Sequence, residues 1–165
     1  MKRFFKALFW TVFILFIAVQ FVPRPKKNIS NHTSENDISV SHKTSVEVQD
    51  ILAVSCYDCH SNNTKYPWYT NIQPISWWMG DHIDEGKKEL NFSEFGTYSP
   101  RRQYRKLEEI IEEVEDGKMP LESYTLIHRN ALLSAAEKNI LVNWARNQRS
   151  LMASIYPADS LVRKQ

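Results

Sequence analysis

The sequence predicts an all-α fold, about four amphipathic helices behind an apolar N-terminal segment and a polar linker. Three observations carry this reading. Apolar residues recur at three- and four-residue spacing in four windows between Thr44 and Ile155. No stretch alternates with the two-residue period of a strand. Ser, Thr or Pro opens each window, and Gly117 and Pro157 stand where two of them stop.

The first window opens on Thr44 and Glu47, a T-x-x-E capping box. Behind it Val48, Ile51, Leu52, Ser55, Cys56 and Cys59 share one face. The second runs from Pro74, a favoured first-turn residue, to about Leu90, with Ile75, Trp78, Met79, His82, Ile83 and Gly86 as its stripe. The third starts at Ser99-Pro100, presents Tyr104, Leu107, Ile110, Ile111 and Val114, and stops at Gly117. The fourth follows the S-A-A-E box at Ser134. Ala136, Ile140, Leu141, Trp144 and Ala145 line its face. The third helix is basic at its start (Arg101, Arg102, Arg105, Lys106) and acidic at its end (Glu112, Glu113, Glu115, Asp116), against the helix dipole. A solvated charged face is the expectation there, with an acidic docking patch for a basic partner as the alternative.

The formal net charge of +2 hides a split. Lys2, Arg3, Lys6, Arg24, Lys26 and Lys27 make residues 1–27 basic, with no acid among them. The rest is mildly acidic. No basic stripe marks the folded part, which argues against a nucleic-acid partner. The apolar run Ala7–Val22 reaches only about 24 Å as a helix, short of a bilayer core unless Phe4 and Phe5 extend it and Lys6 snorkels. "AVQFVPRP" lacks the A-x-A pattern of a cleavage site, so residues 1–22 read as an uncleaved membrane anchor, with a cleaved signal as the rival. Basic residues on both flanks leave its orientation undecided. Residues 23–44, rich in Ser, Asn and His, read as a disordered linker whose His32 and His42 are solvated. Residues 45–156 form the domain and 157–165 a tail.

The two cysteines stand in Cys56-Tyr57-Asp58-Cys59-His60. A redox dithiol would expect a βαβ context, which is missing. A zinc site would need two further ligands, and no second Cys pair or H-x₃₋₅-H supplies them. CxxCH is the attachment signature of c-type haem: two thiols one helical turn apart bond two vinyl groups, and the adjacent His60 offers iron its proximal nitrogen.

"SCYDCHSNNTKYPWYTNIQPISWW", "LNFSEF" and "KLEEIIEEVEDGKMP" together resemble the bacterial haem-binding domain family with a cytochrome c-type CxxCH motif, across roughly Val46 to Arg149. The resemblance implies a small exported, membrane-tethered, cytochrome c-like helical protein with one covalent haem c. Its binding residues correspond to Cys56, Cys59 and His60 here.

For the sixth iron ligand, Met119 in "GKMP" is similar to the loop methionine of many small cytochromes c. His82 on the apolar stripe is the rival, and His128 a weaker one. Trp68, Tyr69, Trp77 and Trp78 read as pocket wall and core, and Gly86 as a place where backbone could approach the ring. Two functions from different classes follow. One is a one-electron carrier facing the periplasm from the inner membrane, serving an unidentified redox partner protein. The other is a gas sensor or peroxidase-like enzyme with an open distal iron. The sequence shows no appended catalytic or signalling domain, which favours the carrier.

Overall fold

The computed structural model describes residues 1–30 and 34–162. Among these the chain is helical and contains no strand. The expectation for His32 lies outside the described residues.

The core is built by three long-range partners. α6 (Pro100–Glu115) and α8 (Ala135–Ile155) pack along each other, and α3 (Val46–Ser55) packs on α8. Leu107, Ile110, Ile111 and Val114 of α6 meet Leu141, Val142, Trp144, Ala145 and Met152 of α8, with Val48, Ile51 and Leu52 of α3. Each is apolar at helical spacing, and burying each Leu or Ile stabilises the fold by roughly 1.5–3 kcal/mol. The expected Ser99 and Ser134 caps are in place, and Glu137 completes the box at Ser134. The first window is capped by Ser45 rather than Thr44, so no capping box forms there.

α6 ends at Gly117, whose φ of +71° suits glycine. Lys118 N–H donates to Glu113 O at 2.9 Å and Gly117 N–H to Val114 O at 3.2 Å. This is the paired carbonyl capture of a Schellman motif, and it turns the chain directly into Met119. The reversed charge order of α6 is absorbed locally. Arg105 pairs with Glu109, while Arg146 and Arg149 on α8 pair with Glu115 and Glu108.

Short elements fill the rest. α5 (Ile75–Glu89) starts beyond a 3₁₀ turn at Trp68–Asn71, and a second 3₁₀ stretch, Phe92–Thr97, buries Phe92 and Phe95. α4 (Tyr57–His60) is a single turn after α3. α7 (Glu122–Thr125) and the 3₁₀ turn Arg129–Ala131 lead into α8.

The linker expectation needs correction. α2 (Ile38–Ser41) is capped by Asp37, and Ile38 is fully buried against the Phe92–Thr97 stretch. His42 is buried too, edge-on to Phe95, rather than solvated. Residues 20–28 run along the domain as a strap. Gln20 exchanges two 3.0 Å hydrogen bonds with the Gln73 backbone, Trp77 Nε1 donates to Pro23 O, and Asn28 Nδ2 donates to Ser61 O at 2.8 Å. The polar residues that resemble a solvated linker are hydrogen-bonding the domain instead. The tail also joins the fold, since α9 (Ala158–Leu161) buries Leu161 against α6.

α1 (Lys2–Val19) stands apart. It is 18 residues long, about 27 Å, and has no buried residue. Among the described residues, no helix is long and apolar enough to cross a membrane. The expected anchor falls short because Lys2, Arg3 and Lys6 occupy its first turns.

Ile38→Ala should destabilise the protein by about 2–5 kcal/mol, read from urea unfolding. A residue in a solvated linker would change nothing. Stability should also depend on His42. Burial lowers its pKa from the ordinary 6.5, so the unfolded chain takes up a proton more readily than the fold. Its contribution is present in full above pH 6.5 and is lost as pH falls below that value. His42→Gln should flatten that slope in unfolding series run at stepwise lower pH.

Candidate functional site

α3 is interrupted at Cys56, where φ and ψ are −129° and −42°. The next turn then winds the motif around itself: Cys59 N–H and His60 N–H both donate to Cys56 O. Tyr57 fixes this turn from behind, donating to Asp37 Oδ1 at 2.8 Å and stacking on Phe92. The strap fixes it from the other end through Asn28 and Ser61.

α5 lies against α4 at Gly86. A Cβ there would meet Cys59 O at 2.8 Å, a contact that backbone cannot yield. The close approach that glycine permits is thus between α5 and the motif turn. Because the helices touch, His60 Nδ1 lies 2.9 Å from Gly86 O and 3.0 Å from Leu90 O. Carbonyls only accept, so Nδ1 carries the proton and donates to both. The Nε2 lone pair is left for a ligand. Burial lowers the His60 pKa, with the Lys106 charge acting in the same direction, although the two carbonyl bonds pull it up. The ring is neutral at neutral pH, as a metal ligand must be.

His60 lines two adjoining cavities of about 330 and 270 Å³. Ser55, Cys56, Glu89, Met119 and Pro120 border both. Together they fall in the size range of small-molecule cofactor sites. The first also holds Cys59, Asp58, His82 and Tyr124; the second has an apolar wall of Leu52, Phe92, Ile110, Val114 and Leu141, with Lys106, Glu109 and Glu113 also lining it. The four expected site residues, Cys56, Cys59, His60 and Met119, therefore come together. Both cysteines are free thiols. Burial pushes Cys56 up to about 12, with negative charge on Cys59 adding to it, and Cys59 up to about 11, helped by Asp58. Protonated thiols are poor redox nucleophiles at neutral pH, which argues against a dithiol role.

His82 borders the first cavity but not the second. Its Nδ1 donates to Trp78 O at 2.8 Å, so its Nε2 is also free. His128 lies outside both cavities, with its Nε2 2.6 Å from Tyr69 Oη and its ring stacked on Tyr124.

The aromatic wall differs from expectation. None of Trp68, Tyr69, Trp77 and Trp78 borders either cavity, and Trp68 is 76% exposed. Trp144 is the core tryptophan, its Nε1 donating to Lys43 O at 3.0 Å. Sequence reasoning also missed Asp58 and Tyr124. Tyr124 donates to Asp58 Oδ2 at 2.7 Å, and burial, with that bond adding to it, raises the phenol pKa. Asp58 lies inside the CxxCH motif, but nothing in the sequence links it to a tyrosine so far along the chain.

A neutral imidazole with one free nitrogen, a thioether and two thiols around one cavity pair is a donor set that haem fits. No curated protein and no solved structure matches this chain. The sequence model of the family described as "Haem-binding domain" matches residues 14–147, which take in the strap, the motif turn, Met119 and most of α8. The chain belongs to the haem-binding domain family.

Proposed function

We propose that this chain is a membrane-tethered c-type haem protein that carries single electrons on the periplasmic side of the inner membrane. The observation that carries this reading is the double anchoring of His60 Nδ1–H on α5, which leaves Nε2 as a fixed donor beside Cys56, Cys59 and Met119.

Bound haem supplies an iron that passes between ferrous and ferric states. Cys56 and Cys59 would each add S–H across a vinyl group, forming one C–S bond with the proton ending on the neighbouring carbon. No net oxidation occurs in that addition. On the periplasmic reading, a maturation system outside the cytoplasm would make this attachment. His60 would give iron its proximal nitrogen. Met119, delivered by the Gly117 turn, would give the distal sulfur, a ligand that raises the potential and closes the iron to exogenous molecules. Leu52, Phe92, Ile110, Val114 and Leu141 would pack against the apolar face of the haem in the second cavity. α1 falls short of a full span, and its apolar side chains beyond Lys6 would instead hold the protein at the membrane by embedding in one leaflet.

His82 supports the second reading. Its free Nε2 at the edge of the first cavity could ligate iron, or act as a distal base if Met119 stays away.

Protein made with a cytochrome c maturation system should keep its haem through acid-acetone extraction and give a two-thioether pyridine haemochrome. Cys56→Ala and Cys59→Ala should each lose that retention. A haem-free native protein under the same expression would sink the reading.

The ferric protein should show the weak long-wavelength sulfur-to-iron band. Met119→Ala should abolish it, lower the reduction potential and admit CO to the ferrous form, while His82→Ala leaves the band in place. The reverse pattern assigns bis-histidine ligation. Immediate CO binding by the wild-type ferrous protein favours the sensor or peroxidase reading.

A further inference from the structure

α1 needs a partner that the domain does not provide. Its apolar side chains point in all directions, and Phe21 just beyond it is 84% exposed. Helices of that kind are buried in protein or in lipid. The chain leaving α1 is not free to swing. Gln20 grips the Gln73 backbone from both sides, its Nε2 donating to Gln73 O and its Oε1 accepting from Gln73 N–H, each at 3.0 Å. Three residues on, Pro23 O accepts from Trp77 Nε1 at 3.0 Å. Pro25 then packs on Gly80 so closely that a Cβ there would stand 2.7 Å from its ring.

These contacts pin the end of α1 to one particular face, formed by the Trp68–Asn71 turn and the first turn of α5. That face shows large apolar groups to solvent: Trp68, Ile75 and Trp78 are all exposed. Arg24, Lys26 and Lys27 follow immediately on the strap. Tryptophan beside lysine and arginine, at the end of an apolar helix, is the composition of a membrane–water interface. Neither Trp68 nor Ile75 borders the haem cavities, and Trp78 touches them only through His82, whose Nδ1 donates to its carbonyl.

We propose that this face rests on the lipid headgroups, so that the haem domain is docked on the membrane surface in one orientation rather than hung from a flexible spacer. The inference rests on the tether proposed above. The ligand is a bilayer interface carrying anionic lipid, recognised by Trp68, Ile75 and Trp78 through their apolar bodies and by Arg24, Lys26 and Lys27 through charge. The Gln20–Gln73 clamp sets the orientation.

A photo-cross-linking residue tests this. Trp68→benzoylphenylalanine places the probe on the face, and Asn147→benzoylphenylalanine places it on exposed α8 as a control. In full-length protein reconstituted into vesicles of phosphatidylcholine and phosphatidylglycerol, irradiation should give a lipid adduct at 68 and none at 147. Adding Gln20→Ala should leave the protein on floating vesicles while cutting the adduct several-fold; an unchanged adduct overturns the clamp as the orienting device. Protein that floats with vesicles but forms no adduct at 68 overturns the docked face and leaves the tether standing. Cross-linking at 68 to a second copy of the chain reassigns the face to self-association. Protein that does not float removes tether and docked face together.

Discussion

The contact between Gly86 and the Cys59 carbonyl governs the arrangement of this domain. It is a pure exclusion constraint: any side chain at position 86 would occupy space that the motif turn already fills. Because α5 can lie that close, its last turn brings two carbonyls, Gly86 O and Leu90 O, within reach of one imidazole N–H. Backbone carbonyls near a helix C-terminus lack some of their intrahelical partners. Leu90 O is such a carbonyl, whereas Gly86 O already accepts from Leu90 N–H at 2.9 Å and takes the His60 N–H on its second lone pair; the two together fix the His60 tautomer. One helix end and one histidine thereby solve each other's hydrogen-bonding problem, and the free nitrogen of the histidine is a by-product with functional use.

That solution depends on supports the motif does not contain. Tyr57 ties the turn to Asp37, and Asn28 ties the loop after it to the strap. Asn28 also accepts from Lys87 Nζ on α5, so one side chain spans both walls of the His60 contact. The family match beginning at residue 14 includes this strap, in keeping with a domain that starts well before its first long core helix.

The sequence makes the long helices legible because their signals are local. The Ser99 and Ser134 caps, the Gly117 stop and the apolar faces of α6 and α8 each depend on residues a few positions apart. The pentapeptide around Cys56 is legible for the same reason. What was illegible depends on distance. Ile38 stands in a polar stretch with only Val40 near it and no helical periodicity to mark it, and its burial comes from the Phe92–Thr97 stretch, while Val40 stays exposed. Asn28 looks like part of a solvated linker, and Gln20 like the end of an apolar segment, because their partners are more than 30 residues away in the chain. The tryptophans misled for a different reason: large aromatics are usually core, yet here Trp68 and Trp78 face outward.

The two distal candidates differ in how the fold presents them. His82 is held by its own helix, through Nδ1 to Trp78 O, and stays where α5 puts it at the edge of one cavity. Met119 sits on the chain that the Schellman turn at Gly117 redirects, and it borders both cavities. Met119 shares both cavities with His60, so its sulfur would reach a cofactor held in either one, whereas His82 borders only the first. Methionine also has the longer, unbranched side chain, able to adjust its sulfur without moving backbone. Its backbone needs no such freedom, since Met119 N–H is tied to Glu113 O at 3.0 Å. A fixed backbone with an adaptable thioether would suit a ligand that stays bound through both iron oxidation states, and that combination supports the proposed choice of Met119 over His82.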